Sequence, residues 1–551
     1  MSNLLENKLQ YYKNKNIHIV GIGGAEGSAI GEFLVGNGIS SITGHDFSAE
    51  ADFWKAYNNT HLSLKPKERE EALKHLLNLP IKINFKDHYL EGIENADMVF
   101  VSQVWFKYPQ NMPILSELKD SGVPFKTITN LYFELALCKI ISVTGTNGKT
   151  TTAKLINSIF EEFTRWFHSP FRAVEPKCKF TKRLHSPEAG TMEPAVNPAI
   201  GNVYFAGNDR QNIQVLDKLS EMKKDDVLIL ETSSTQLLLN SGISPHIGVI
   251  TNITPNHIDD HGSFENYIEA KKNLIRYQKR GDWAVLNYDD AESRKIAEEF
   301  KNNVFLFSRK EEMEEGCFVR DNDIVINCKC KFAKRLYSPE AGTMEPAAPM
   351  ESAAVTICNI DDIKIPGRHN LENVLAAVSA AYLYGISPEI IREGVSKYAG
   401  IKHRLKLLYD INGVKYYDDT QATTPEAAIA GIDSFEGDII LLAGGDNKGM
   451  KYEKMAEKIN DKIKLLILFP GDASDEIEKF INKKKVDFVK VKNFRQAIEI
   501  LKKYLKNKKT PSIQSDARCP NVVLISPGAA HFYSKFVESA NGTLRDWIKE
   551  L

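Results

Sequence analysis

An excess of either charge and any long apolar run are both missing from this chain. Lysine plus arginine (71) nearly cancels aspartate plus glutamate (72), so no bulk field draws the protein to nucleic acid or to an anionic membrane, and a charged substrate has to be met locally. No window approaches the roughly 18 consecutive apolar residues of a membrane span. The opening stretch, MSNLLENKLQYYKNKN, is polar and lacks the apolar core of a secretory signal. Cysteine is sparse too: residues 138, 178, 317, 328, 330, 358 and 519 are odd in number and scattered, which argues against a disulfide framework and fits a reducing compartment. Only Cys328 and Cys330 lie close together, and without a second pair they make a poor zinc site. The expectation is a cytoplasmic monomer with no nucleic-acid and no membrane partner. What is present is a 42% apolar, 26% charged composition over 551 residues, the make-up of a globular protein with material for about three to four domains.

Strand-like apolar runs alternate with helical stretches, which predicts an α/β protein built on parallel sheets covered by helices. Ile17–Val20 runs into a turn holding Gly21, Gly23 and Gly27, followed by a helical pattern over Ser28–Val35, and Ile42–Asp46 reads as a second strand ending in an acid. This is a Rossmann-like start, but its G-x-G-x-x-x-G spacing is one residue longer than the dinucleotide fingerprint. A nucleotide-sugar diphosphate on the same turn is chemically reasonable, whereas NAD fits it poorly.

A second apolar run, Ile141–Thr144, breaks into Gly145-Thr146-Asn147-Gly148-Lys149-Thr150-Thr151-Thr152 at the opening of a helical pattern. Glycines let backbone N–H groups approach phosphate oxygens, and the helix N-terminus adds partial positive charge. Lys149 reaches the β and γ phosphates, and the Thr150 hydroxyl suits Mg²⁺. A Gly-Asn-Gly turn between strand and helix needs no ligand by itself, but a lysine and three threonines behind it favour ATP. Val227–Glu231 is a further strand ending in a carboxylate, placed to hold Mg²⁺ beside a triphosphate in the crevice outside the strand ends. At Pro366-Gly367-Arg368-His369-Asn370, a helix start sets Asn370 and Asn373 one turn apart, where amides can both donate to and accept from an adenine edge; an N-cap role for Asn370 alone is the alternative.

Gly145 and Gly148 enclose two residues where the general phosphate loop has four. This shortened form, preceded by Thr144, resembles the Mur ligase family, which joins amino acids to carboxylates in peptidoglycan synthesis. The resemblance implies a three-domain α/β protein with a Rossmann-like domain at 1–137 for the UDP substrate. A P-loop-type central ATPase domain follows at 138–399, and a Rossmann-like amino-acid-binding domain at 400–551. It implies UDP-substrate contacts at Gly23, Ala25, Glu26, Gly27, Asp46 and Asn208. In Ile253-Thr254-Pro255-Asn256-His257, it implies that His257 is a metal ligand with Thr150 and Glu231. The lysine after Tyr267-Ile268-Glu269-Ala270 is carbamylated by CO₂ in the family, which points to Lys271 as ligand to a second Mg²⁺, with Lys272 as its confusable neighbour. Two metal ions make sense where two anionic reactants must meet. Arg404, in Gly400-Ile401-Lys402-His403-Arg404, looks like the arginine that reaches the ATP site. Catalytic roles thus fall on Lys149, His257, Lys271 and Arg404, and ATP contacts on residues 145–151, Asn370, Asn373, Arg404 and Asp419.

Three strand ends in the last third carry polar residues: Asp418-Asp419-Thr420-Gln421-Ala422-Thr423, Gly444-Gly445-Asp446-Asn447-Lys448 and Ser526-Pro527-Gly528-Ala529-Ala530-His531. They resemble the motifs of the glutamate-adding branch of the family, with Gln421, Thr423, Lys448 and His531 lining the amino-acid pocket. The implied reaction is ATP-dependent amide formation between glutamate, D-glutamate first, and UDP-N-acetylmuramoyl-L-alanine through an acyl phosphate, with closure of the third domain assembling the site. The chain departs from the pattern at Asn256, Lys406, Gln421 and His531. The last two fall in the pocket, so L-glutamate stays open. A folylpolyglutamate-synthase-like ligase and a catalytically inactive Mur-like binding protein also stay open.

Residues 177–195 recur at 329–347 with only positions 181/333 and 185/337 changed. They sit in insertions near 165–200 and 328–352. Nothing else repeats, so this is no solenoid period. Proline, glycine and charge in both copies predict surface loops, which lengthen at little entropic cost.

Overall fold

Apolar runs four to seven residues long, such as Ile439–Gly444 and Ile463–Phe469, can bury both faces only when helices cover the sheet on each side, and parallel sheets are the outcome. The computed structural model describes residues 3–61, 63–102, 112–168, 200–207, 214–240, 242–256, 258–300, 303–328, 354–447, 449–508, 521–532, 535–536 and 544–549. Both copies of the repeat, and Asn208, His257 and Lys448, lie outside the described residues. Among the described residues, no helix is long and apolar enough to cross a membrane.

The chain divides into two compact units, one of residues 1–360 and 372–395, the other of residues 361–371 and 396–551. The first unit holds two sheets. One consists of β1 (Ile17–Val20), β2 (Ile42–Asp46), β3 (Lys82–Phe85), β4 (Met98–Val101) and β5 (Phe125–Lys126) in the order β3-β2-β1-β4-β5, all parallel. The order reverses beside β1, so the glycine turn after β1 opens at a switch point, where such sheets bind ligands. The expected helix after that turn spans Ala25–Gly36.

The other sheet of this unit holds β6 (Lys139–Thr144), β7 (Val203–Ala206), β8 (Val227–Glu231), β9 (Ile247–Ile250), β10 (Trp283–Asn287), β11 (Val304–Ser308), β12 (Gly316–Arg320), β13 (Asp323–Asn327) and β14 (Val355–Asn359). Their order is β14-β13-β12-β11-β10-β9-β6-β8-β7, parallel from β7 through β12 and antiparallel across β13 and β14. β6 lies between β8 and β9, so three loops leave the sheet side by side. The helix Lys149–His168 follows β6 and buries Ile156, Ile159, Phe160 and Phe163 along one stripe.

The second unit carries β15 (Lys406–Ile411), β16 (Val414–Asp418), β17 (Ile439–Gly444), β18 (Ile463–Phe469), β19 (Asp487–Lys490) and β20 (Val522–Ile525) in the order β15-β16-β20-β17-β18-β19. Only the edge pair β15/β16 is antiparallel. The last strand in sequence is inserted between β16 and β17, which brings together the three strand ends that carried polar motifs.

Candidate active site

The loop after β6 is held in a shape that only its glycines permit. Gly145 has φ 153° and a Cβ there would stand 1.9 Å from Thr251 Oγ1; Gly148 has φ 84° and a Cβ would stand 2.1 Å from Asn373 Oδ1. Asn252 pins the turn, accepting from Thr146 N through its carbonyl (2.8 Å) and from Asn147 N through Oδ1 (3.0 Å), and donating to the Asn147 carbonyl (3.1 Å). Thr146 Oγ1 donates to the Thr254 carbonyl (3.1 Å) and meets Tyr267 OH at 3.0 Å. Thr146 and Asn147 thus hold the cradle's shape through their own amides.

Lys149 opens the helix and arches back, its Nζ donating to the carbonyls of Gly145 (2.9 Å) and Thr146 (3.0 Å). Its charge therefore sits over the loop. One residue on, Thr150 Oγ1 donates to Glu231 Oε1 at 2.9 Å, because β8 runs beside β6 and ends level with the helix start. Thr151 occupies the same first turn, and Thr152 Oγ1 donates to Asn373 Oδ1 at 3.3 Å. Asn373 thus lies against Gly148 and accepts from Thr152, whereas Asn370 Nδ2 donates to the Pro366 carbonyl at 2.6 Å within its own turn.

Lys271 is 1% exposed, with Nζ 3.5 Å from Thr144 Oγ1 and 4.5 Å from the centroid of the Tyr267 ring. Burial, then the nearby charge of Lys149, pushes its ammonium well below the usual lysine range. Lys272 turns the other way and pairs with Glu269 (2.8 Å) and Glu299 (2.6 Å). A hydroxyl and a carboxylate 2.9 Å apart at a strand end and helix start suit Mg²⁺, a hard cation that completes its shell with phosphate oxygens and water. Among the described residues no three His, Cys, Asp or Glu side chains converge on a metal position.

At the glycine turn after β1, Gly27 packs so closely that a Cβ would stand 2.2 Å from the Gly21 carbonyl oxygen. Asp46 shapes the turn: Oδ2 accepts from Gly23 N (3.1 Å), and Oδ1 accepts from Ser48 N (3.0 Å) and Oγ (2.6 Å). Ala25 starts the helix, and Glu26 Oε1 accepts from Gln236 Nε2 at 2.7 Å. Gln236 stands five residues after Glu231, so the glycine turn after β1 is hydrogen-bonded to the segment that follows β8 within this unit. A cleft lined by Thr129, Tyr132, Gly207, Gln214, Glu231 and Gln236 lies along that junction.

In the second unit, Asp418 ends β16 and Asp419 follows it, with Gln421 and Thr423 in the loop beyond. Asp419 is buried, and Ser526 Oγ donates to its Oδ2 at 2.7 Å. Beside them, Asp446 takes His531 Nδ1 on Oδ2 (2.8 Å) and Lys535 Nζ on Oδ1 (2.6 Å), while its backbone pairs with Ala530. Hydrogen bonds from Lys535 and then His531 hold the Asp446 carboxyl below its usual range.

Sequence reasoning missed Asn252, Gln236, Asp446 as an organiser, and Lys535. The spacing of His531 and Lys535, one helical turn, was the only local signal among these.

The central part of the chain, residues 143–381, matches the family model of the Mur ligase middle domain, and residues 403–512 match that of the Mur ligase glutamate ligase domain. The chain is similar to the UDP-N-acetylmuramoylalanine–D-glutamate ligase of Acetivibrio thermocellus, 30% identical over 86% of this chain and 87% of that protein. It is also similar to the ligase of the same name from Alkaliphilus metalliredigens, 33% identical over 67% and 68%. A solved UDP-N-acetylmuramate–alanine ligase from Thermotoga maritima aligns with a TM-score of 0.49 at 16% identity over 96% of this chain and 99% of that one.

Proposed function

The chain belongs to the Mur ligase family of ATP-dependent ligases, and from that premise we propose that it joins glutamate, D-glutamate first, to UDP-N-acetylmuramoyl-L-alanine. The observation that carries the reading is the grouping of Lys149, the Thr150–Glu231 pair and buried Lys271 around one glycine loop, in a chain whose 30% identical relative bears that reaction in its name.

Residues 1–137 take the UDP moiety, 138–399 take ATP, and 400–551 take the amino acid. A carboxylate oxygen of the acceptor attacks the γ-phosphorus, the bond to the bridging oxygen breaks, and ADP leaves behind an acyl phosphate. The amino nitrogen of glutamate, having lost a proton, then attacks the acyl carbon and phosphate departs as the amide bond forms. Lys149 and Arg404 offset the charge that gathers on the phosphoryl oxygens. Thr150 and Glu231, with His257 by family resemblance, would hold Mg²⁺, which offsets repulsion between carboxylate and triphosphate. Lys271 suits carbamylation: burial favours its neutral amine, and that amine attacks CO₂ with loss of one proton to give an anionic oxygen donor. Tyr267 and Thr144 orient it.

The test is phosphate release by the purified protein with Mg²⁺-ATP and UDP-N-acetylmuramoyl-L-alanine, run in parallel with D-glutamate and L-glutamate. Release with D-glutamate is expected. Release with L-glutamate alone would reverse the stereochemistry, and silence with both would overturn the proposal.

A further inference from the structure

The turn that carries Arg404 is strained on both sides of the arginine. His403 has φ 66° and Leu405 φ 42°, left-handed conformations that a bulky leucine in particular avoids. Such geometry persists only where the surroundings over-determine it. Here they do, and the means are two adjacent carboxylates. Leu405 N donates to Asp419 Oδ1 at 3.1 Å, while Asp419 Oδ2 accepts from Ser526 Oγ at 2.7 Å. On the other flank, His403 Nδ1 meets Asp418 Oδ2 at 2.8 Å, and Asp418 Oδ1 accepts from Thr420 N (3.1 Å) and Oγ1 (2.7 Å). The Gln421 amide returns to the His403 carbonyl at 2.9 Å, and Arg404 N donates to the Ile401 carbonyl at 3.2 Å.

We propose that Asp418 and Asp419 are positioning residues that clamp the 403–405 turn from its two sides and so present Arg404 in one direction, and that Asp419 acts through Arg404 rather than by touching the nucleotide. The inference rests on the reading of Arg404 as a phosphate-directed group. The direct alternative, Asp419 as an ATP ligand, is poorly served by its surroundings. Asp419 is 6% exposed, each of its oxygens has a protein donor, and Gly431 approaches so closely that a Cβ there would stand 2.7 Å from Oδ2. Burial raises its carboxyl to about 7, and the hydrogen bonds from Ser526 and Leu405 oppose that rise.

The experiment is a double-mutant cycle in the full chain, with kcat, the KM for ATP and the melting temperature measured for Arg404→Ala, Asp419→Ala, Asp419→Asn and the Asp419→Ala/Arg404→Ala pair. A misaimed arginine costs turnover, so Asp419→Ala is expected to lower kcat by about ten- to a hundredfold with KM for ATP little changed. Asp419→Asn keeps an acceptor for Leu405 N and is expected to recover most of that loss. In the double variant the two losses do not multiply, and kcat stays within about twofold of Arg404→Ala. Multiplying losses, or a raised KM for ATP with kcat intact in Asp419→Ala, would overturn the clamp. Wild-type turnover in Arg404→Ala would overturn the reading beneath it as well. Should Asp419→Ala fail to fold, Ser526→Ala, which removes the second anchor of Asp419, takes its place in the same cycle with the same expected non-additivity.

Discussion

Lys271 and Lys272 are neighbours in sequence and opposites in environment. The Nζ of Lys271 is buried over the Tyr267 ring, while that of Lys272 is bridged between Glu269 and Glu299. A single step of the helix Phe264–Lys272 rotates one side chain by about 100° from the next, enough to turn one towards the cradle and the other towards a carboxylate pair. Lys271→Ala is therefore expected to lower kcat by at least ~100-fold, and Lys272→Ala by no more than ~3-fold. With ¹³C-labelled bicarbonate, a carbamate resonance should appear in the wild type and in Lys272→Ala and vanish in Lys271→Ala. A resonance that survives Lys271→Ala would assign the modification elsewhere.

Gly148→Ala tests the cradle as a shape. The new methyl would meet Asn373 Oδ1 at 2.1 Å, on a backbone with φ 84°. A loss of about 1–3 kcal/mol in stability is expected from the conformation alone, together with weaker ATP binding, read by denaturant unfolding and calorimetric titration of the same variant.

Glu231→Gln keeps an acceptor for Thr150 Oγ1 and removes the charge. The Mg²⁺ concentration for half-maximal phosphate release should rise about tenfold or more, while the KM for glutamate stays near the wild-type value. An unchanged Mg²⁺ requirement would take Glu231 out of the metal site.

Asp446→Asn tests the proposed amino-acid pocket. Asp446 bonds both His531 and Lys535, so the substitution should loosen two donors at once and raise the KM for glutamate about tenfold, with the KM for ATP unchanged. Initial rates across glutamate and ATP concentrations separate the two.

Stability below neutral pH should depend on His45. It is fully buried, meets His18 Nδ1 at 2.8 Å through Nε2 and reaches the Tyr89 carbonyl through Nδ1. Burial lowers it from 6.5 to about 4, so between those values the unfolded chain binds the proton and the folded one does not. Stability from this group is complete above pH 6.5 and falls as the pH drops towards 4, by on the order of 3 kcal/mol. Buried Asp419, raised from 3.8 to about 7, acts in the opposite sense over that range. The His45 contribution is therefore read as the difference between wild type and His45→Gln, in urea unfolding at pH 7.5, 6 and 5, and a difference that does not change with pH would remove His45 from the account.

Much of the fold was legible because it is written locally. The strands at 17–20, 227–231, 439–444 and 522–525 are apolar runs ended by glycine or a polar residue, and their alternation with helices admits few arrangements other than covered parallel sheets. Lys149, Thr150 and Glu231 could be grouped from sequence because residues at the carboxyl ends of adjacent parallel strands share one crevice. The link between Glu26 and Gln236 spans 210 positions, and that between Asp446 and His531 spans 85; no spacing rule reaches so far.

Element types, the glycine loop and the chemical classes of the groups beside it are local matters, because backbone preference and periodic burial act over a few residues. Tertiary structure alone set Asn373 against Gly148, brought Asp419 to the backbone of Leu405, and selected which of two adjacent lysines is stripped of water. Desolvation and hydrogen-bond partnership depend on what lies across the fold, and those neighbours come from distant parts of the chain.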